Sequence, residues 1–212
     1  MTASPHVLPL VLRRLAALLC ALFLAGCQTA MSTPPLAGYD GSKSIDETYT
    51  NRASDWPLTF SAHQFDAYSF STYGCKVYYR NMIRVDDPDD VLQPASEALG
   101  DKYPRILSAG MGPISNFPPP AQVTWRSKDG QRHQAEVDIG DIFKDQLIRH
   151  RVPREDISTV GSLPLPEIIL EVNDRTINVY MKATIWTKTL QIPENRLSNQ
   201  RSDMIKVYSR TY

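Results

Sequence analysis

Few side chains in this sequence could carry out chemistry. Beyond the first 26 residues, histidine occurs at 63, 133 and 150, and cysteine at 27 and 75. These positions contain no His-Glu-x-x-His spacing and no closely spaced pair of cysteines, so the sequence predicts no metal site. A nucleophilic pair of Cys75 with a histidine would form only through the fold. The alternative is that Cys75 is a small buried residue of the strand-like segment "TYGCKVYY", and this interpretation is favoured.

Other motifs that would indicate an enzyme are also absent from the sequence. There is no G-x-S-x-G, no G-x-G-x-x-G and no P-loop. The acidic run "VDDPDD", residues 85–90, lacks the spacing and the bidentate Glu of a calcium loop, so a solvated turn is expected there. We therefore predict no catalytic residues, no metal, no cofactor and no small-molecule substrate, and an enzyme with a scattered site ranks last.

The N-terminus has the order of a secretory signal. Arg13 and Arg14 precede the apolar run "LAALLCALFLAG", which extends from Leu15 to Gly26 and ends in small residues. This run has 12 residues, whereas a membrane-spanning helix needs about 20. Residues 1–26 are therefore predicted to be a signal peptide.

The residues at the end of that run, Leu24-Ala25-Gly26-Cys27, resemble the lipobox of bacterial lipoproteins. The resemblance implies cleavage before Cys27, followed by addition of a diacylglycerol thioether and an N-linked acyl chain such as palmitate. Several acyl chains together give lasting membrane attachment. Gln28 follows in place of Asp, which in the lipoprotein sorting pattern implies the outer membrane, with the protein facing the periplasm. The alternative is an ordinary signal peptide with an incidental cysteine.

Composition limits the partners of the mature chain. Without Arg13 and Arg14 it carries 21 Lys and Arg against 23 Asp and Glu, a net charge of −2. This is not the basic surface that a nucleic-acid-binding protein requires, so no nucleic acid is expected. Residues 27–55 are rich in Ser, Thr, Pro and Gly and predict an acylated N-terminus with a flexible tether. Residues 56–212 are predicted to be a single globular domain.

The patterning of that domain predicts an α+β fold around a mostly antiparallel sheet of six or seven strands. Hairpins are expected at Asp129-Gly130 and at residues 173–175, and a last strand at the C-terminus. A helix is predicted over Gly140–Arg151, and a short one near Ser96. Residues 108–120 contain four prolines and predict a loop.

Four side chains are predicted as candidate contacts for a protein partner. Tyr180 and Trp186 alternate with the apolar residues of their strand, so they point away from the core face, although a helix or the tether could cover them. Met111 and Phe117 lie in the proline-rich segment, which could act as a plug.

Two segments carry a further resemblance: Val123–Gln146 and Pro166–Ala183. With the lipobox, they resemble periplasmic lipoproteins encoded beside type VI secretion effectors, which are immunity partners of lipase-type antibacterial toxins. The resemblance implies a non-enzymatic inhibitor that binds a secreted toxin effector and is held at the membrane by its lipid. The alternative function is a structural or assembly lipoprotein of the bacterial envelope or of a secretion system.

Overall fold

The structure, a computed structural model, describes residues 53–212. In this range the chain is mostly β, with two largely antiparallel sheets and one short α-helix. The strands are β1 (Ala62–Phe70), β2 (Thr72–Tyr79), β3 (Met82–Asp86), β4 (Met111–Ser115), β5 (Ala121–Ser127), β6 (Arg132–Val137), β7 (Glu167–Asn173), β8 (Thr176–Trp186) and β9 (Gln200–Thr211). Helix α1 is Ile139–Ile142, and 3-10 turns occupy Ser96–Lys102 and Arg154–Asp156. None of the helices within this range is long and apolar enough to cross a membrane.

The larger sheet has five strands in the order β4-β1-β7-β8-β9. Strands β7 and β8 form the hairpin predicted at residues 173–175, and its turn contains Asp174 with a φ of 52°. Asp is among the residues that tolerate this left-handed conformation. Strands β1 and β7 are parallel, with Gln64 opposite Glu167. The sheet is therefore mixed, because the other three pairings are antiparallel.

The smaller sheet has four strands in the order β3-β2-β5-β6 and is antiparallel throughout. The chain enters it from β1 through Ser71, whose φ is 52°. Strands β5 and β6 form the predicted Asp-Gly hairpin, with Gly130 at a φ of 86°. Because Gly has no Cβ, it adopts this conformation without steric cost.

Both sheets contribute to one apolar core. The cluster includes Cys75, Val77, Val123 and Trp125 of the smaller sheet, and Ile168, Leu170, Val179 and Met181 of the larger one. Full burial of such a side chain stabilises the folded state by roughly 1.5–3 kcal/mol relative to exposure. The alternation predicted for β8 is confirmed on this face, since all five of its apolar positions are buried.

A second cluster lies on the opposite face of the five-stranded sheet. Residues 96–110, here named the cover segment, lie against that face, and its Leu107 and Ala109 pack with Phe70, Ile169 and Tyr180. Backbone and side-chain hydrogen bonds secure the segment. The bonds run from Ala109 N to Glu167 Oε2 (2.7 Å), from Gly110 N to Asp66 Oδ2 (3.0 Å) and from Tyr68 Oη to Ser108 O (2.7 Å). The central strands of this sheet are therefore buried on both sides.

Two sequence predictions of secondary structure are wrong: the helix over Gly140–Arg151 and the loop at residues 108–120. The helix predicted over Gly140–Arg151 ends at Ile142, because the chain then turns to pair with residues 58–60. Phe60 N donates to Gln146 O (3.0 Å) and Ile148 N donates to Leu58 O (2.9 Å), bonds that replace the helical ones.

The predicted loop at residues 108–120 contains β4, an edge strand paired with β1. Proline is tolerated there because an edge strand leaves some backbone N–H groups unpaired. Gly112 allows the close approach, since a Cβ at this position would lie 2.9 Å from His63 O. The predicted signal peptide, the acylation at Cys27 and the tether up to residue 52 lie outside the described residues.

Candidate partner-binding surface

The residues that could have been nucleophiles or bases belong largely to the core. Cys75 is fully buried in β2, and burial, together with the charge of Asp87, raises the pKa of its thiol above the ordinary value. The thiolate is the reactive form of cysteine, so this side chain is poorly suited to nucleophilic chemistry.

His63 is also fully buried. Its Nδ1 bonds Asn116 Oδ1 at 2.8 Å and its Nε2 bonds Tyr79 Oη at 3.1 Å. Burial lowers the pKa of His63 to about 4, an effect that Arg80 reinforces and the Asn116 hydrogen bond opposes. The imidazole is therefore held neutral between aromatic rings, among them Phe60 and Phe117.

A Ser–His–Asp group occurs at the β5–β6 turn, but its order is not that of a hydrolase. Ser127 Oγ lies 3.0 Å from His133 Nε2 and also donates to Asp129 Oδ1. A catalytic triad needs the carboxylate on the far nitrogen of the imidazole, and here the carboxylate bonds the serine. Ser127 is fully buried, and His133 stacks on Trp125 with ring centroids 5.0 Å apart. This geometry is that of a turn rather than of a reaction centre.

The remaining histidine and the acidic turn show no ligand geometry either. His150 lies edge-on to Trp56, and burial lowers its pKa. Asp87 accepts a hydrogen bond from Ser69 Oγ (2.6 Å), and Asp86 pairs with Lys76 (2.9 Å). Across residues 53–212, no three His, Cys, Asp or Glu side chains are grouped so that they could hold a metal ion.

Of the four candidate contact residues, Tyr180 is buried and the other three are half-buried. Tyr180 is only 3% exposed because the cover segment lies over it. Trp186 is half-buried and donates from Nε1 to Ser162 O (3.1 Å). Met111 is half-buried against β1, and Phe117 packs edge-on to Phe60. The covered alternative therefore holds for Tyr180, and the structure does not bring these four side chains into one exposed patch.

The burial of Tyr180 depends on a polar network around Glu171. This carboxylate is fully buried and accepts four hydrogen bonds. Tyr103 Oη (2.6 Å) and Asn173 Nδ2 (3.0 Å) donate to Oε1, while Tyr180 Oη (2.8 Å) and Asn178 Nδ2 (3.2 Å) donate to Oε2. Burial raises the pKa of Tyr180, and contact with Tyr103 and Glu171 reinforces the shift. The network therefore has a structural explanation: it attaches the cover segment to the sheet.

The smaller sheet, by contrast, presents its outer side to solvent. We name this side the open face. Its strands alternate, so that apolar residues enter the core and polar or aromatic residues face outward. Neighbouring outward residues are in register, with Lys76 opposite Thr124 and Thr124 opposite Gln134. The open face consists of Lys76, Tyr78, Ile83, Asp86, Gln122, Thr124, Arg126, Arg132, Gln134 and Glu136.

One end of the open face is apolar. Tyr78 lies opposite Ile83 in the β2–β3 pair, and these residues are 41% and 50% exposed, respectively. Met82 is also 46% exposed, but it is the register partner of the buried Tyr79 and does not belong to the open face. Exposed apolar side chains scattered singly need no explanation, whereas neighbouring ones indicate an interaction surface.

The other end of the open face contains a groove of about 520 Å³. Lys76, Arg126 and Arg132 line it, and Asp89 is the one carboxylate among its lining residues. The Arg126 guanidinium lies 5.2 Å from the centre of the Tyr73 ring and donates to the Asp89 backbone carbonyl. These contacts hold one arginine in place beside the groove.

Sequence patterning alone does not reveal the open face, for a physical reason. The alternation of Val77 with Tyr78, and of Trp125 with Arg126, is visible in the sequence, but the pairing of β2 with β5 that joins them is not. The same alternation in β8 produces a covered face, so alternation alone does not distinguish an open side from a covered one.

Comparisons of the chain with protein-family models, with curated proteins and with solved structures find no match. Function is therefore inferred from the residues of this chain.

Proposed function

We propose that the chain is a periplasmic immunity lipoprotein, anchored through Cys27, that binds a type VI secretion antibacterial effector of the lipase class and blocks its active site. The resemblance carried by Val123–Gln146 and Pro166–Ala183 supports the class of partner. The lipobox-like sequence at Cys27 supports the location.

The observation that carries the proposal is the open face. It combines an exposed aromatic and aliphatic end with two arginines, the residue types that dominate binding energy at protein interfaces. Strands β2 and β5 are each hydrogen-bonded on both sides, so the backbone of this surface is already ordered. A partner that binds it does not have to order that backbone, which preserves affinity.

A binding role is also favoured by where the reactive groups lie. Cys75 and His63 are both fully buried, and both ring nitrogens of His63 are hydrogen-bonded to neighbouring side chains. Attachment to the membrane would then add to the function, because a lipid anchor raises the effective concentration of an inhibitor near an enzyme that attacks lipid.

The proposal is tested by co-expressing the chain in the periplasm with the effector encoded nearest to its gene. Survival of the cells and co-purification of the two proteins are expected. Cell death with no complex would contradict the proposal for that effector. Stable association with a permanent envelope complex would favour the alternative role in assembly.

The open face is tested with two matched variants. Ile83→Glu introduces a charge at the apolar end of the face, while Leu197→Glu introduces the same charge at a residue that is 81% exposed outside it. We expect the first variant to lose protection and co-purification and the second to retain both. Equal behaviour of the two variants would show that the effector binds elsewhere.

The anchor is tested separately. Cys27→Ala is expected to abolish incorporation of labelled palmitate and to release the chain from the membrane fraction. It should leave effector binding in solution intact while weakening the protection of cells. Loss of solution binding in this variant would contradict a purely anchoring role for Cys27.

A further inference from the structure

We infer that the groove on the open face receives an acidic, carboxylate-bearing segment of the protein partner. This inference rests on the proposed function, because it specifies the chemistry of the partner at the surface already assigned to it.

The charges of the groove carry the inference. Arg126 and Arg132 form no salt bridge with any carboxylate among residues 53–212, whereas Lys76 pairs with Asp86. Arg126 and Arg132 are opposite each other in the backbone register of the β5–β6 pair, and the Arg126 guanidinium packs over Tyr73 of β2. Like charges directly opposite on neighbouring strands are destabilising, so a bound anion would relieve a cost that the free protein bears.

The geometry of the groove favours a carboxylate-bearing protein segment as its ligand. A guanidinium presents its N–H donors in a planar fork that matches a carboxylate, and Arg126 is held in place by Tyr73. The groove is open and about 520 Å³ in volume, which is room for side chains of a protruding loop. Its continuity with Tyr78 and Ile83 provides apolar contacts on the same sheet for the rest of that partner.

Overall charge does not explain attraction of an acidic ligand to this chain. The mature chain has a net charge of −2, so long-range attraction to an acidic segment would be absent or slightly repulsive. Any preference for acidic ligands must therefore come from a local arrangement of charges, and single substitutions in the groove should alter it.

The first experiment does not need the effector. The purified full chain in detergent is titrated against a fluorescently labelled hexaglutamate peptide, with a hexaglutamine peptide as the ligand control, and anisotropy is measured at low salt. We expect hexaglutamate to bind at least about 10-fold more tightly than hexaglutamine. Equal binding of the two peptides would overturn the inference.

Three variants locate the binding. Arg132→Glu should weaken hexaglutamate binding by about 10-fold, and Asp89→Asn should strengthen it by about 3-fold because it removes the carboxylate from the groove. Arg196→Glu is the matched control, since it makes the same charge change at an exposed residue that does not line the groove. Equal weakening by Arg132→Glu and Arg196→Glu would overturn the inference.

Other anions are competing outcomes of the same assay. Displacement of hexaglutamate by inorganic phosphate at equal or lower concentration would indicate a general anion site and overturn the assignment to a carboxylate segment. Binding of phosphatidylglycerol vesicles that Arg132→Glu abolishes would assign the groove to a membrane surface and would also overturn it.

The second experiment uses the effector and separates the inference from the proposed function. If the wild-type chain co-purifies with the effector and Arg132→Glu does not, the inference is supported. If both co-purify equally, the proposed function stands and the inference fails. If the wild-type chain forms no complex, the proposed function fails for that effector, and the peptide titration still decides whether the groove binds carboxylates.

Discussion

The hydrogen bond between Tyr103 and Glu171 offers a sharp test of how the cover segment is held. Tyr103 Oη donates to Glu171 Oε1 at 2.6 Å, and Glu171 is fully buried. Tyr103→Phe removes the donor and keeps the ring in contact with Phe70, which lies edge-on to it at 6.1 Å. The substitution therefore isolates the polar contribution to attachment of the segment.

The expected magnitude follows from the charge of the acceptor. A hydrogen bond to a charged group contributes roughly 1.5–3 kcal/mol to stability, about twice a neutral one. Because Tyr103 is only half-buried, water can partly replace the donor, so we expect a loss of about 2 kcal/mol in the free energy of unfolding. For a chain of this size that corresponds to a fall of about 4–8 °C in Tm.

Tyr68→Phe is the matched control. It removes the hydroxyl that donates to Ser108 O at 2.7 Å and accepts from Ser108 N at 3.3 Å, both neutral and exposed hydrogen bonds on the same segment. Its expected cost is about 0.5 kcal/mol. Urea unfolding of Tyr103→Phe, Glu171→Gln and the double variant then gives the coupling energy of the pair, which should be about 1 kcal/mol or more.

Hydrogen exchange distinguishes local attachment from global stability. In Tyr103→Phe, amides of the cover segment should exchange faster while those of β2 and β5 keep nearly their wild-type ranking. A coupling energy near zero, or equal costs for Tyr103→Phe and Tyr68→Phe, would refute the claim that the buried carboxylate holds the segment.

Three further outcomes follow from buried residues, one in β1 of the larger sheet and two in β2 of the smaller sheet. Burial lowers the pKa of His63 from 6.5 to about 4, so the unfolded chain takes up a proton at a higher pH than the folded chain does. The free energy of unfolding should therefore be full above pH 6.5 and fall by about 3 kcal/mol as pH drops towards 4. Urea unfolding above pH 6.5 and near pH 4 should show a smaller fall for His63→Gln. Cys75 should react with iodoacetamide at pH 8 on the order of 100-fold more slowly in the native chain than in 6 M urea. Mass spectrometry measures both rates, and equal rates would contradict the burial of Cys75. Gly74→Ala should cost about 1–3 kcal/mol of unfolding free energy, because the φ of 52° disfavours a Cβ and the new atom would collide with Asp89 Oδ1. Gly110→Ala, where a Cβ meets open space, is the control, and equal Tm values for the two variants would contradict this account.

The parts of the fold that sequence could predict are those set by local chemistry. The Asp129-Gly130 turn and the turn at residues 173–175 depend on residues that tolerate left-handed backbone, and both hairpins form as predicted. The buried alternation of β8 follows directly from its apolar positions. The sequence predicts one sheet of six or seven strands, whereas the described residues form nine strands in two sheets. The chain passes between the sheets at Ser71, and β1 pairs in parallel with β7, a strand distant in sequence.

The predicted helix at Gly140–Arg151 shows how tertiary pairing overrides local periodicity. Phe143 of the predicted apolar stripe is buried, but Gln146 is exposed, and residues 146–148 use their backbone groups to pair with residues 58–60. Propensity is a weak preference that such pairing readily overcomes. For the same reason the outward side of β8 could not be assigned, since Tyr180 is buried by a segment more than 70 residues earlier in the chain.

The two sheets differ in the cost that a partner would meet on approaching them. Binding over β8 would first require displacement of the cover segment, and with it the bonds from Tyr103 to Glu171, from Ala109 to Glu167 and from Gly110 to Asp66. Each is a hydrogen bond to a carboxylate, so together they oppose displacement by about 5 kcal/mol, which would reduce affinity by more than 1,000-fold. The open face carries no such cost, because its outward residues already lie in solvent on a paired and ordered sheet. A partner that reached Tyr180 would therefore have to form a far better interface than one that docks on Arg132 and Ile83, and this difference is why the smaller sheet is the surface proposed for the effector.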